Sequence, residues 1–322
     1  MDGLAALLDG PRARGAFLLR CSFDEPWSVR LEDRAPLSVT VVTRGRMWVR
    51  PDDTDPVLLE AGDLVVRVGT DPWTIGSAPD RVAEPDAVIL PGQVCRTPDG
   101  RDLADELRQG VRTWGTSPDG RTLLLVGVYL VEGEVSRRLL RALPATVVVR
   151  RAELDSPLVD LLAGEVVRDA PGQEAVLDRT LDLLLITVLR HWFDRAGSDR
   201  PAWWLGQADP VVGPALRLLQ HQPEHPWTVA DLAARSGVSR AAFARRFTEA
   251  VGQPPMTYLT GWRLDLAADL LLEPGATVGA VARRVGYSTP FALSAAFKRE
   301  RGTSPQEWRR ARLENPARPT AG

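Results

Sequence analysis

Residues 229–263, VADLAARSGVSRAAFARRFTEAVGQPPMTYLTGWR, and residues 278–312, VGAVARRVGYSTPFALSAAFKRERGTSPQEWRRAR, are two versions of one pattern. Val229, Leu232, Ala233, Gly237 and Ser239 match Val278, Val281, Ala282, Gly286 and Ser288 at an offset of 49. Phe243, Phe247, Gly252, Pro255 and Tyr258 match Leu293, Phe297, Gly302, Pro305 and Trp308 at an offset of 50, so the second copy has gained one residue in its turn. Each copy reads helix, glycine-containing turn, helix. Gly237 and Gly286 suit a left-handed turn position, and Ser239 and Ser288 suit the N-cap of the following helix. A single pattern of this kind is common; two at a fixed spacing specify a pair of helix-turn-helix units, whose second helix enters the DNA major groove.

Between the copies, Pro255–Leu272 reads as one helix. Eighteen residues span about 27 Å at ~1.5 Å each, a reach that can hold two recognition helices about one DNA turn, ~34 Å, apart. The charge agrees. Residues 225–312 carry 13 Arg and Lys against 7 Asp and Glu, net +6, whereas residues 1–224 carry 26 against 34, net −8. A basic half joined to an acidic half points to a polyanion as partner of the basic half. Lys298 is the one lysine, and the Ala, Arg and Gly bias suggests a GC-rich bacterial genome.

The first 150 residues read differently. Ala16–Cys21, Ser38–Val42, Met47–Arg50, Val57–Leu59, Leu64–Val68, Ala87–Leu90, Leu123–Leu130 and Thr146–Val149 are short apolar or β-branched runs between Pro-, Gly- and Asp-rich breaks, the pattern of an all-β sandwich or barrel. Within GDLVVRVGTDPWTIG, residues 62–76, the two runs and their turns read as a hairpin corner. Leu103–Arg112 reads as a short helix inside a long loop. From Asp155 the period becomes helical, over Ser156–Val167 and Gln173–Ala196. The second segment carries a broad stripe from Val176 to Phe193, and both core packing and a helix pair across a dimer account for its width. Gly197–Asp209 reads as a connection.

Residues 213–311 resemble the AraC/XylS transcription regulators. The stretch VARRVGYSTPFALSAAFKRERGTSPQEWRR carries the likeness: an apolar residue, Ala, Gly-Tyr, Ser, Phe-Lys, Gly, Ser-Pro, an aromatic and Arg. The N-terminal half, through VVTRGRMWVR…LEAGDLVVRV and LLRALPATVVV, resembles the cupin-like effector domain of one large branch of that family. The resemblance implies an α+β chain of two domains: a cupin-like sensor barrel over 1–150 followed by a helical dimerisation and linker segment over 151–212, and an all-α DNA-binding domain over 213–311. The two helix-turn-helix motifs are then 229–251 and 278–301, and 312–322 is a flexible tail. It implies a bacterial homodimer that binds double-stranded promoter DNA, with RNA polymerase and a small-molecule effector as further partners.

On the first recognition helix Phe243 and Phe247 face inward, leaving Arg240, Ala241, Ala244 and Arg245 outward. Arg245 is the best base reader, because Arg pairs bidentately with guanine O6 and N7. Arg240 suits a base or a phosphate, the two alanines suit a thymine methyl, and Arg246 points sideways, toward phosphate or solvent. With Ser239 these form the first contact set. On the second helix Pro290, Phe291, Ser294 and Ala295 take the same face; the family often has Arg at the position of Ala295, so bidentate readout is missing. Ser288, Thr289, Ser294, Lys298 and Arg299 are left to hold register on phosphates, which position a protein without reading sequence.

Barrels of this superfamily that hold a metal use two or three histidines and a carboxylate, some of them from the corner where Trp73 stands. All three histidines here, His191, His221 and His225, lie beyond residue 190; Asp63, Glu60 and Glu84 alone make a poor transition-metal site. No metal and no cofactor are expected, and a metal-dependent cupin enzyme is the weakest reading. Trp27, Trp48, Trp73 and Trp114, with Arg30, Arg46 and Arg67, are candidates to line an effector pocket, since such sites are apolar with a few polar groups. Cys21 and Cys95 are candidates for a thiol switch; Arg96 beside Cys95 would lower its pKa if exposed. Apolar runs such as Leu183–Leu189 are far short of the ~20 residues of a membrane span, and MDGLAALLDGPRARG lacks the layout of a secretory signal, so a cytoplasmic protein is expected.

Overall fold

The structure, a computed structural model, describes residues 17–51, 54–81, 85–110, 112–129, 140–195 and 201–314. Ala16, Leu130, Glu84, Ala196 and the tail beyond residue 314 lie outside these residues. The chain divides into two compact units; one contains Pro11–Glu132 and Leu143–Ser198, the other Asp199–Gly322.

The first unit holds thirteen described strands in two sheets. A seven-stranded sheet runs β10 (Arg108–Gly110), β11 (Thr113–Gly115), β1 (Phe17–Phe23), β12 (Thr122–Tyr129), β3 (Leu37–Arg44), β6 (Leu64–Val68), β13 (Thr146–Val149). A six-stranded sheet runs β5 (Val57–Glu60), β4 (Arg46–Pro51), β7 (Trp73–Gly76), β2 (Ser28–Leu31), β8 (Ala87–Leu90), β9 (Val94–Arg96). All pairings are antiparallel except β1 with β11 and β2 with β8. Side chains alternate between faces along each strand, and Cys21, Phe23, Val29, Leu31, Met47, Val49, Trp73 and Ile75 share one core.

The corner of residues 62–76 is not a hairpin. β6 pairs with β3 and β13, while β7 pairs with β2 and β4, so the chain crosses from one sheet to the other. Asp63 organises the crossing. Its carboxylate accepts the backbone N–H groups of Glu60 (3.1 Å) and Arg151 (2.9 Å) and the Arg150 guanidinium (2.8 Å). Burial pushes this carboxyl up, but the two N–H groups and Arg150 outweigh it and hold it below the ordinary range. Asp63 is therefore a staple between β6 and the exit of β13. Leu103–Arg112 is not helical either: residues 104–107 form turns and Arg108–Gly110 is a strand.

Helices α1 (Pro157–Glu165) and α2 (Gln173–Asp194) belong to this unit. Leu177, Thr180, Leu181, Leu184, Leu185, Val188, Leu189 and Phe193 of the α2 stripe are buried within one chain, whereas Val176 and Leu183 are exposed.

The second unit begins with α3 (Ala202–Ala208), inside the stretch expected to be a connection, and α4 (Val212–His221). The first copy is α5 (Val229–Arg235) and α6 (Arg240–Val251); α7 (Pro255–Leu271) follows; the second copy is α8 (Val278–Arg284) and α9 (Pro290–Arg301), then α10 (Pro305–Glu314), which takes in residues 312–314 of the expected tail. Thr228 and Asp231 form a capping box on α5, Thr277 caps α8, and Gly252 and Gly302, both left-handed, close α6 and α9. Ser239 caps α6, but the cap of α9 is Thr289, one residue beyond Ser288, because the extra residue of the second copy lies before the cap.

The two turn glycines share a conformation and differ in surroundings. Gly237 (φ 68°) has open space where a Cβ would stand; at Gly286 (φ 85°) it would meet Glu224 Cα, the Pro223 carbonyl and the Arg263 guanidinium, each at 2.8 Å. Gly237→Ala is expected to cost about 1–2 kcal/mol, the left-handed penalty alone, and Gly286→Ala at least about twice as much. Chemical denaturation of the two variants checks this; equal losses would mean that the close approach at Gly286 carries no strain.

Candidate nucleic-acid interface and barrel cavity

Phe243, Phe247, Leu293 and Phe297 are fully buried, so each recognition helix has one fixed inner face. On α6 this leaves Arg240, Ala241, Arg245 and Arg246 exposed and Ala244 half-buried. Arg245 pairs with Glu249 at 3.9 Å, an exposed pair of little strength. Arg246 is tied down: its Nε lies 2.9 Å from Asp209 Oδ2, and Asp209 also accepts the N–H groups of Val211 and Val212 at the head of α4. Burial raises the Asp209 carboxyl, and those N–H groups with Arg246 bring it below the ordinary value. Arg246 is thus part of the scaffold that sets α6 against α4.

On α9, Thr289 accepts the Ala292 N–H and Ser294 donates to the Pro290 carbonyl at 2.8 Å, so both hydroxyls are engaged within the helix. Pro290, Ala295, Ser288 and Lys298 are exposed, and Arg299 lies 3.3 Å from Glu300. Phe291, at 82% exposure, is the most open of the large apolar side chains described.

In the barrel a cavity of about 370 Å³ opens between the sheets, within the range of about 300–1,000 Å³ usual for small-molecule sites. Of the seven residues expected to line a pocket, Trp114 does so. Trp27 is buried and stacks on Phe23 at 4.3 Å. Trp73 is buried in the core beneath the Arg67 guanidinium, and Arg67 also donates to Thr146. Arg46 and Trp48 point away because Met47 and Val49 take the inward positions of β4; likewise Arg30, between Val29 and Leu31, pairs with Glu32 at 2.7 Å. The polar groups that reach the cavity include Asp33, Gln93, Arg108, Arg112 and Thr113, from loops and short strands with no apolar periodicity to mark them. Among the described residues no group of three or more His, Cys, Asp or Glu could hold a metal ion, and no helix is long and apolar enough to cross a membrane.

Cys21 and Cys95 are both free and line the same cavity. Arg96 does not activate Cys95. Burial and the Asp102 carboxylate push its thiol up to about 11, and burial pushes Cys21 up to about 12.

Two family models match the chain, one described as Cupin over residues 2–194 and one as Helix-turn-helix domain over residues 232–311. A putative AraC-like transcription regulator of Streptomyces antibioticus is 32% identical over 289 residues, covering 88% of this chain and 90% of that protein. The HTH-type transcriptional regulator MtrA of Neisseria gonorrhoeae is 26% identical over 96% of this chain and 98% of its own length. Among solved structures, the DNA-binding domain of AdpA in complex with a target DNA is similar, at 35% identity over 34% of this chain and 98% of that one, with a TM-score of 0.31.

The thiolate is the reactive form, so native protein at pH 7.5 is expected to resist iodoacetamide at both thiols and to react once unfolded in urea. Alkylation of the native protein should quicken only as pH climbs toward 11. Fast labelling of either thiol at neutral pH would show a reachable thiolate and restore the redox reading.

Proposed function

The chain belongs to the AraC family of transcription regulators, with a cupin domain preceding a helix-turn-helix domain, and we propose that α6 and α9 enter two successive major grooves of promoter DNA while the barrel cavity takes a small-molecule effector. The observation that carries the DNA reading is the duplication itself: two capped recognition helices on one 17-residue helix, α7, about 26 Å long at ~1.5 Å per residue. Arg245 reads a base, Arg240 a base or a phosphate, and Lys298 and Arg299 hold phosphates. RNA polymerase is a further partner of such a regulator.

The effector reading rests on backbone strain as well as volume. Three described non-glycine residues have a left-handed backbone: Arg34 (φ 57°), Gln93 (φ 62°) and Arg112 (φ 49°). Gln93 and Arg112 line the cavity, and Arg34 adjoins its Asp33. Such conformations cost of order 1–3 kcal/mol each and cluster at ligand sites. Gln93 Nε2 is buried with no acceptor among the described residues, a donor that an acceptor group on an otherwise apolar ligand would satisfy. The exposed Val176 and Leu183 of α2, with Leu161 of α1 and Val167 just beyond its C-cap, are the face proposed to pair with a second copy; a monomer in sedimentation at micromolar concentration would remove that part of the reading.

Arg245→Ala is expected to weaken operator binding by roughly 1–3 kcal/mol and to relax specificity in one half-site. Lys298→Ala should weaken binding evenly across sequences and make it less salt-dependent. Selection from random DNA pools with each variant checks both; an unchanged preference with Arg245→Ala refutes its assignment. In the barrel, Gln93→Gly relieves the left-handed strain, so it is expected to hold or raise the melting temperature while abolishing the shift given by any compound found to stabilise the wild type in a metabolite screen. Loss of stability with an intact ligand shift would make Gln93 structural only.

A further inference from the structure

The two recognition helices superimpose in sequence at an offset of 50, and at that offset their inner faces match while their outer faces do not. Arg240 corresponds to Pro290, Ala241 to Phe291, Ala244 to Ser294 and Arg245 to Ala295. Where the first copy presents two guanidiniums and two methyls, the second presents a proline ring, a benzyl group, a hydroxymethyl and a methyl. The one hydroxyl among them, on Ser294, is already spent on the Pro290 carbonyl. Residues 290, 291, 294 and 295 lie on one face of the helix, next to its capped N-terminus.

Phe291 is the outlying feature. Large apolar side chains are ordinarily covered, yet this one stands 82% exposed on the helix that faces DNA. The major groove offers one apolar group for such a side chain, the C5-methyl of thymine, which alanine and phenylalanine both contact in protein–DNA complexes.

We propose that α9 reads its half-site by apolar contact, with Phe291 packed on thymine C5-methyl groups and Ala295 and Pro290 beside it, while α6 reads the other half-site by hydrogen bonds from arginine. The operator is then chemically divided, guanine-bearing under α6 and thymine-bearing under α9. This rests on the reading of α9 as a groove-bound helix. Phe291 makes a specificity-determining contact that its exposure in the free protein leaves unmade.

The test uses the full chain and an operator selected from a random pool. Thymines in the α9 half-site are replaced one at a time by deoxyuridine, which removes the methyl and nothing else. Wild-type affinity is expected to fall about fourfold for each contacted methyl, the worth of one buried CH₂-sized group, and Phe291→Ala is expected to bind thymine and deoxyuridine operators equally. Phe291 is exposed, so the variant should fold; Phe291→Leu should keep part of the discrimination. Equal wild-type affinity for both operators, or an unchanged ratio with Phe291→Ala, overturns the proposal. A hydroxyl-radical footprint separates the two levels. Protection of both half-sites with no methyl effect sinks the role of Phe291 alone, and protection confined to the α6 half-site sinks the groove-bound reading of α9. Loss of transcription activation with Phe291→Ala at unchanged DNA affinity would also overturn it, in favour of a protein partner.

Discussion

The DNA-facing unit depends on the burial of α7 along two faces at once. Tyr258 packs against Phe247 of the first copy, Trp262 is buried against Gln220 of α4, Leu259 is buried, and Leu264, Ala267, Ala268 and Leu271 pack with the second copy. A helix apolar on so many sides is stable only when enclosed, and here each copy supplies one wall. The two walls are built alike. Phe247 meets Tyr258 edge-on with ring centroids 6.0 Å apart, and Phe297 meets Trp308 edge-on at 6.0 Å. Polar ties fix the rotation of the rod: Trp262 donates to the Gln220 carbonyl at 3.2 Å, Gln220 donates to the Tyr258 hydroxyl at 2.6 Å, and Arg263 donates to the carbonyls of Pro223 and His225. Arg301 reaches back from α9 to Asp265 at 2.7 Å. The spacing and the facing of α6 and α9 are therefore properties of one packed core, not of a loose tether.

The barrel shows the same economy in a different geometry. Two sheets bury a shared apolar interior, and strands must pass between them at corners. A corner leaves backbone N–H groups without ladder partners, and each must find an acceptor. Asp63 takes two of them and a guanidinium, so its charge is consumed in holding β5, β6 and β13 together. Charge spent in this way is not available to a metal or a substrate, and the same accounting applies to Arg150. What remains open in the barrel is a cavity whose polar groups come from loops and short strands.

Legibility in the sequence follows from how local each signal is. The duplicated helices were plain because a helical period, a turn glycine and a cap all lie within one copy, and the second copy repeats them. The α9 cap moved from Ser288 to Thr289 because both residues can cap, and the period alone does not say where the extra residue lies. The β6–β7 corner looks like a hairpin in sequence because the turn residues Gly69 to Pro72 are the same whether the next strand returns to its neighbour or crosses to the opposite sheet. That choice is made by partners far along the chain. Trp48 departs from expectation for a similar reason: residue type says that it is apolar, but strand parity, set by Met47 and Val49, says that it points away from the cavity. Gln93 and Arg112 carried no sequence signal at all, since an unusual backbone at a non-glycine residue is imposed by its surroundings.

Duplication explains one further property of the interface. Within this one chain the inner positions of α6 and α9 have stayed aromatic or branched, because any change there opens a cavity in a shared core. The outer positions lie outside the buried core, exposed or half-buried, and there the copies differ. A rod that fixes the distance between two unlike faces also fixes a direction. Were the unit turned around on its site, Arg245 would face the apolar half and Phe291 would cover guanine acceptors, leaving buried polar groups without partners. Unpaired groups of that kind discriminate more strongly than the matching contacts attract. On the proposed division of the operator, the divergence of Arg245 and Ala295, which on one copy alone would read as a lost base contact, gives the module a reason to bind in one orientation.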